Sequence, residues 1–393
     1  MTFALSPEHE TFRRSVREFA EAEVAPHVAE WDRAHHFPVD LVHQMGELGL
    51  FGLTAPEEFG GADGDFTSLC VAIEELGRVD QSIGITLEAG VGLGILPLLA
   101  YGTQEQKEQW LPDLVAGRKL AGFGLTEPGA GSDASATRTK AELDGGEWVV
   151  NGSKQFITNS GSEITSCVTV TARTGTRTHP VTGASSPEIS AIILPSGTPG
   201  FVAEAPYDKL GWHISDTHPL TFTDVRVPED NLLGDRGRGY AQFLATLDDG
   251  RIAIAALAVG CIQACLDLCV QYAGARTTFG VPIGTKQGVA FQVSDLAVMA
   301  QAGRALTYQA AAMKDAGAPA KEIKQAASIA KLYTSESAVT ATRIATQVFG
   351  GYGFMEEYPV ARFYRDAKIL EIGEGTSEVQ RMLIARGLGL PVE

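Results

Sequence analysis

Apolar and polar positions change their period twice along this chain. In the first third, Leu5, Phe12, Val16, Phe19 and Val24 recur at helical spacing, and Ser6 followed by Pro7 supplies an N-cap and a first-turn proline. Further helical patterns occupy 41–50, 66–77 and 83–101, and Thr103 can cap a short helix running through Trp110. Alternation then replaces the helical period. Residues 148–152, 166–171, 191–194 and 220–222 read as strands, while the Gly- and Pro-bearing polar stretch 174–187 reads as a mobile surface loop. From Tyr240 onward, long Ala-rich helical segments return, interrupted at 274–288, 317–319 and 350–359.

Helices, then strands, then helices in segregated runs predict separate units rather than alternating β-α-β elements. We place a helical N-terminal domain at 1–118, a middle β domain at 119–234 and a C-terminal helical bundle at 235–393. The chain is thus multidomain and mainly α, with no internal repeat and no low-complexity tail. A length of 393 residues with 44% hydrophobic residues is enough for a large core.

Composition narrows the partners. A formal net charge of −17 repels phosphate backbones and anionic lipid, which argues against nucleic acid and membrane surfaces. The longest apolar stretch, 252–270, is broken by Gln263 and Asp267 and reads as a buried helix rather than a membrane span. The N-terminal residues Met1 to Pro7 carry no export or transit signal, and an odd count of five cysteines predicts reduced thiols in a cytoplasmic setting. Cys261, Cys265 and Cys269 line one helical face without partners suited to zinc, so they read as small buried hydrophobes and no metal is expected.

Several motif-like features carry little chemistry. Gly90-Val91-Gly92-Leu93-Gly94 lacks the third glycine and the β-α-β setting of a dinucleotide fingerprint and reads as close helix packing. His35-His36 reads as a surface turn. The segment from Phe123 to Asp133, with Thr126, Gly129, Gly131 and Ser132, has backbone amides and hydroxyls that could cradle a polar planar ligand or a pyrophosphate; a plain Gly-rich turn explains it equally well. Glu374, between Gly373 and Gly375, has the bare flanks that a carboxylate needs to meet a substrate carbon closely. A helix N-terminus, with Thr376 as N-cap and Glu378 in the first turn, accounts for the same residues, and the segment alone leaves both readings open.

Four motifs, taken in order, resemble the acyl-CoA dehydrogenase family over essentially the full length. They are Leu125-Thr126-Glu127-Pro128 through Ser132-Asp133; Lys154-Gln155-Phe156-Ile157-Thr158-Asn159; Arg276-Thr277-Thr278-Phe279-Gly280; and Gln347 through Gly353 followed by Glu374-Gly375-Thr376-Ser377-Glu378. The resemblance implies a middle domain of barrel or sandwich type, a C-terminal four-helix bundle, a homotetramer and bound FAD. It implies that Phe123, Leu125, Thr126, Gly131, Ser132, Phe156, Ile157 and Thr158 line the flavin. Arg276 and Phe279 would reach the pyrophosphate and adenine across a subunit interface, near Gln347, Gly350 and Gly351, with Thr376 and Glu378 closing the site.

The activity so implied is oxidation of a saturated acyl-CoA to its trans-2-enoyl form. Glu374 would remove the α-proton, the β-hydride would pass to N5 of FAD, and electrons would go on to an electron-transfer flavoprotein. The Glu374 amide and a ribityl hydroxyl would hold the thioester oxygen, and substrate burial would raise the pKa of the base. Ser132, Asp248, Arg251 and Gly375 are the substrate-side candidates, although Asp248 and Arg251 equally suit a structural ion pair. Some relatives keep the base on another helix, but the corresponding position here is Gly250, which leaves Glu374 alone. Gly373 stands where many relatives have Tyr and predicts a wider pocket; Phe156 stands for Trp. An oxygen-using acyl-CoA oxidase and a non-catalytic acyl-CoA-binding homologue are the alternatives, the first disfavoured by chain length and the second by the intact base.

Overall fold

The structure, a computed structural model, describes residues 5–178 and 183–392. The start of the stretch inspected for an export signal and the centre of the segment read as a loop lie outside the described residues. Helices come first: α1 (Pro7–Phe19), α2 (Val28–Ala34), α3 (Val39–Glu47), α4 (Phe66–Val79), α5 (Gln81–Glu88), α6 (Leu96–Tyr101) and α7 (Gln104–Val115). Ser6 caps α1 by accepting from the His9 amide at 3.1 Å, and Thr103 caps α7 by accepting from Gln106 at 3.2 Å, both as the sequence predicts. The helix expected at 83–101 is instead α5 and α6 joined by a wider π turn, Ala89–Ile95. Its glycines pack closely: a Cβ on Gly90 would meet Phe51 and one on Gly94 the Ala121 carbonyl.

The middle of the chain forms β1 (Leu120–Gly124), β2 (Lys140–Asp144), β3 (Glu147–Thr158), β4 (Thr165–Thr178), β5 (Ser185–Pro195), β6 (Phe201–Ala203), β7 (Thr217–Pro228) and β8 (Leu232–Leu233). They make one mixed sheet in the order β6-β7-β3-β2-β4-β5-β8, with β1 added parallel to β4. Trp148, Val150, Val168, Val170, Ile192, Leu194, Leu220 and Phe222 build a core separate from the main one. The loop reading of 174–187 is corrected here: Gly175 to Thr178 pairs with Ser185 to Glu188 as the end of a long β4–β5 hairpin, and the ladder absorbs Thr174 as a register shift.

After the sheet come α8 (Gly239–Ala275), the two-residue strands β9 (Thr277–Thr278) and β10 (Val281–Pro282), then α9 (Gln287–Asp315), α10 (Ala320–Phe349), α11 (Pro359–Ala367) and α12 (Ser377–Gly387). Helices α8, α9 and α10 pack on one another, α12 joins α10, and α4 of the first unit lies along α8. Two stretches, Gln81–Tyr101 and Gly239–Ala275, are long and apolar enough to span a membrane, yet 78% of the most apolar window of each is buried inside the protein. All five cysteines are free and buried. The sequence-derived order of helices, sheet and helices is the order observed.

Candidate functional site

Glu374 sits on a left-handed turn between a 3-10 segment, Lys368–Glu371, and α12. Its φ is 51° and that of Gly375 is 95°. The second value favours glycine, and the first is a conformation that a non-glycine residue adopts only when its surroundings enforce it. The enforcement is visible. Gly375 O accepts from Lys331 Nζ at 2.8 Å and from Gln380 Nε2 at 2.9 Å, and Thr376 caps α12 by accepting from the Val379 amide at 3.3 Å. The helix N-terminus reading is therefore correct for Thr376 and Glu378, and the same turn drives Glu374 inward.

Glu374 is only partly buried as a residue, but both carboxylate oxygens are buried and without a hydrogen-bond partner of ordinary geometry. Space for the carboxylate comes from α8: a Cβ built on Gly250 would lie 2.2 Å from Glu374 Oε2. Burial pushes the Glu374 carboxyl up to about 7, against the opposing pull of its contact with Glu88 and of the Lys331 and Arg251 cations. Glu88, the last residue of α5, is fully buried and also lacks an ordinary hydrogen-bond partner. Burial and the neighbouring Glu374 carboxylate raise it well above the usual range.

Around the carboxyl pair stand two buried cations. Arg251 on α8 is ion-paired with Asp248, which is the structural pairing the sequence left open; Lys331 on α10 is completely buried, and burial pulls it down to about 8. Glu88, Lys331 and Gln380 escaped the sequence reading. One signal was available for the first: Glu88 is the sole charged residue between Asp80 and Glu105. Lys331 had no such mark, because one lysine in an Ala-rich helix reads as a solvated face.

The predicted flavin-lining segments lie at the C-terminal ends of β1 and β3. Gln155 N donates to Thr126 O at 2.8 Å, joining the two segments. Lys154, completely buried, donates to Leu125 O at 3.2 Å, Glu127 at 2.8 Å, Thr137 at 3.1 Å and Thr171 at 3.0 Å. Glu127 also accepts from Thr137 and from the Arg138 and Thr139 amides, and despite burial its carboxyl falls to about 2 because of Lys154 and these donors. Phe156, at φ 62° and 62% exposed, leans on Tyr207 with ring centroids 5.2 Å apart. Phe123 stacks on Phe243 of α8 at 3.8 Å, and Asn159 donates to Thr86 O of α5 at 3.2 Å. These contacts tie the segments of Phe123, Leu125, Thr126, Gly131 and Ser132 and of Phe156, Ile157 and Thr158 to the helices that bear Gly250 and Glu88.

Arg276, Phe279, Gln347, Gly350 and Gly351 form a second group. Phe279 projects from the β9–β10 turn 95% exposed, and the Arg276 guanidinium lies 5.5 Å from the Tyr352 ring centroid. Along α8, Arg276 is separated from Arg251 by about 38 Å at 1.5 Å per residue. Within one chain, therefore, these residues do not join the Glu374 cluster.

Comparison with known proteins gives the assembly its context. Family models described as the acyl-CoA dehydrogenase N-terminal, middle and C-terminal domains match residues 6–118, 122–225 and 237–389. The probable acyl-CoA dehydrogenase YngJ of Bacillus subtilis is 47% identical over 388 residues, covering 99% of this chain and 100% of the relative. Butyryl-CoA dehydrogenase from Megasphaera elsdenii superposes with a TM-score of 0.92 at 41% identity, covering 99% and 100% of the two chains. A chain from a structure described as the electron transferring flavoprotein of Acidaminococcus fermentans gives a TM-score of 0.93 at 42% identity, with 99% of each covered. Full-length identity of this order, on top of the shared three-part fold, means that the chain belongs to the acyl-CoA dehydrogenase family and is an enzyme of that family.

Proposed function

We propose that Glu374 is the base that removes the α-proton of a short-chain acyl-CoA, which leaves as the trans-2-enoyl thioester. The observation that carries this reading is a buried carboxyl with no hydrogen-bond partner of ordinary geometry among the described residues, raised to about 7 and given room by Gly250. A carboxylate in that condition is poised to take a proton from carbon near neutral pH. The Glu374 amide has no acceptor among the described residues, so it is available to the thioester oxygen as negative charge develops there.

The residues present fit FAD. Among the described residues the hydroxyls of Thr126, Ser132 and Thr158 have no protein partner, and a Cβ on Gly129 or Gly131 would meet nothing within 4 Å, which leaves an open, donor-rich cradle beside the exposed Phe156 ring. FAD held there would supply the acceptor for the β-hydride. Phe123, Leu125, Thr126, Gly131, Ser132, Phe156, Ile157 and Thr158 would hold its flavin end. The separation of Arg276, Phe279, Gln347, Gly350 and Gly351 from that end supports contact with the adenine end of a neighbour's FAD, and hence the homotetramer.

Butyryl-CoA dehydrogenase among the structural neighbours supports a short acyl chain. At Gly373 a Cβ would meet only Ile369 atoms at 3.5 Å and 3.9 Å, which leaves room for a branch. The Acidaminococcus neighbour supports an electron-transfer flavoprotein as acceptor, and five free buried thiols support a cytoplasmic setting. Replacement of Glu374 by Gln tests the assignment. Flavin content should persist while anaerobic bleaching by butyryl-CoA slows by roughly 10⁴-fold, the upper range for loss of a general base; bleaching at close to the wild-type rate rejects it.

A further inference from the structure

We propose that Lys331 is a positioning residue for Glu374, holding the turn that carries the base and setting a buried ammonium against its carboxylate. The inference deepens the dehydrogenase reading and rests on it. Lys331 reaches the site from α10, and its side chain is wholly inside the protein. A buried ammonium is costly unless acceptors surround it. Among the described residues its one hydrogen-bond acceptor is Gly375 O at 2.8 Å. The hydroxyls of Ser328 and Ser335, on the same face of α10 one turn to either side, are buried and make no bond to it. The ammonium therefore has spare donor capacity, and the nearest uncompensated negative charge is Glu374.

The two roles are separable because Gln380 shares only one of them. Its amide also holds Gly375 O, at 2.9 Å, but carries no charge. Removing Gln380 loosens the turn and leaves the local field intact; removing the Lys331 charge changes the field itself. The other groups bearing on the pair are Glu88 from the end of α5, Arg251 with its partner Asp248 from α8, Glu371 from the segment before the turn and Glu336 on α10 itself. Only Lys331 and Arg251 among them favour ionised Glu374 by charge, and Arg251 already faces Asp248. Loss of Lys331 should therefore raise the pH at which the base becomes competent.

The test compares Lys331→Met, Lys331→Gln, Lys331→Arg and Gln380→Met as FAD-loaded enzymes. Two measurements apply: the pH dependence of anaerobic bleaching by butyryl-CoA, and the titration of the Glu374 carboxyl in infrared difference spectra, assigned by its loss in Glu374→Gln. In Lys331→Met and Lys331→Gln the acid limb and the carboxyl titration should both move up by about one pH unit or more, a tenfold loss of rate on the acid side. KM should change little, and Lys331→Arg should bring the limb most of the way back. Gln380→Met should slow bleaching without moving the limb. Lys331→Gln keeps a donor for Gly375 O and so covers the case in which Lys331→Met does not fold. Limbs and titrations unchanged in both neutral variants overturn the proposal. Wild-type enzyme that no acyl-CoA bleaches would instead sink the dehydrogenase reading, and the carboxyl titration would still decide the role of Lys331.

Discussion

Two buried lysine–glutamate neighbourhoods in this molecule begin from the same ingredients and end in opposite states. In the sheet, Glu127 accepts from Lys154, Thr137 and two backbone amides, and its carboxyl falls to about 2. Between the helices, Glu374 has Lys331 and Arg251 nearby but no hydrogen bond of ordinary geometry, and its carboxyl rises to about 7. Burial lowers both lysines to about 8, but Lys154 touches Glu127 at 2.8 Å whereas Lys331 bonds Gly375 O. Direct ion contact and donor count together make the difference. A saturated carboxylate is a fastener, whereas an undersupplied one keeps a lone pair for something that is not protein.

The largest test of this contrast is to strip the fastener. Lys154→Met leaves Glu127 buried without its ion partner and should cost about 3–5 kcal/mol, read by chemical denaturation, with loss of flavin because Leu125 O and the adjoining cradle lose their tether. A stable, yellow Lys154→Met would erase the distinction. Next in size is crowding of the undersupplied site. Gly250→Ala brings a methyl to 2.2 Å from Glu374 Oε2, so the carboxyl must move, and the bleaching rate should fall by about 10²-fold with little change in flavin content.

A smaller effect is expected from the partner acid. With Glu374 as the proposed base working ionised, the rate should fall as pH drops through about 7, and the contact with Glu88 holds that value down. Glu88→Leu removes the contact and should move the acid limb upward, with the rate at acidic pH falling about tenfold for each pH step the limb travels; a downward move would show that repulsion dominates the pair. The smallest concerns the pocket wall. Gly373→Tyr should discriminate against branched acyl-CoA relative to butyryl-CoA by roughly tenfold in kcat/KM, within the range expected of a hydrophobic pocket contact.

Fold and site were not equally legible in the sequence. The helix–sheet–helix order was readable because periodicity averages over many residues, and the caps at Ser6 and Thr103 were readable because each depends on its own immediate neighbours. The hairpin at Gly175 and Pro187 was misread: both are turn-like residues locally, and only the facing strand turns them into a ladder with a register shift. Glu374 could be picked out by its glycine flanks. Glu88 stood out only as a lone charge in an apolar stretch and Lys331 not at all, since their character comes from what α5 and α10 bring together across the interior, and no spacing along the chain encodes that meeting.

The near coincidence of the would-be Gly250 methyl with Glu374 Oε2 has a consequence for how such enzymes diversify. The proposed proton acceptor is pinned to a location between two backbones, and either backbone can deliver an acid to it as long as the other stays bare. Chemistry can thus be handed from a helix to a loop, changing the angle from which a thioester is approached while the reacting carbon stays where it is.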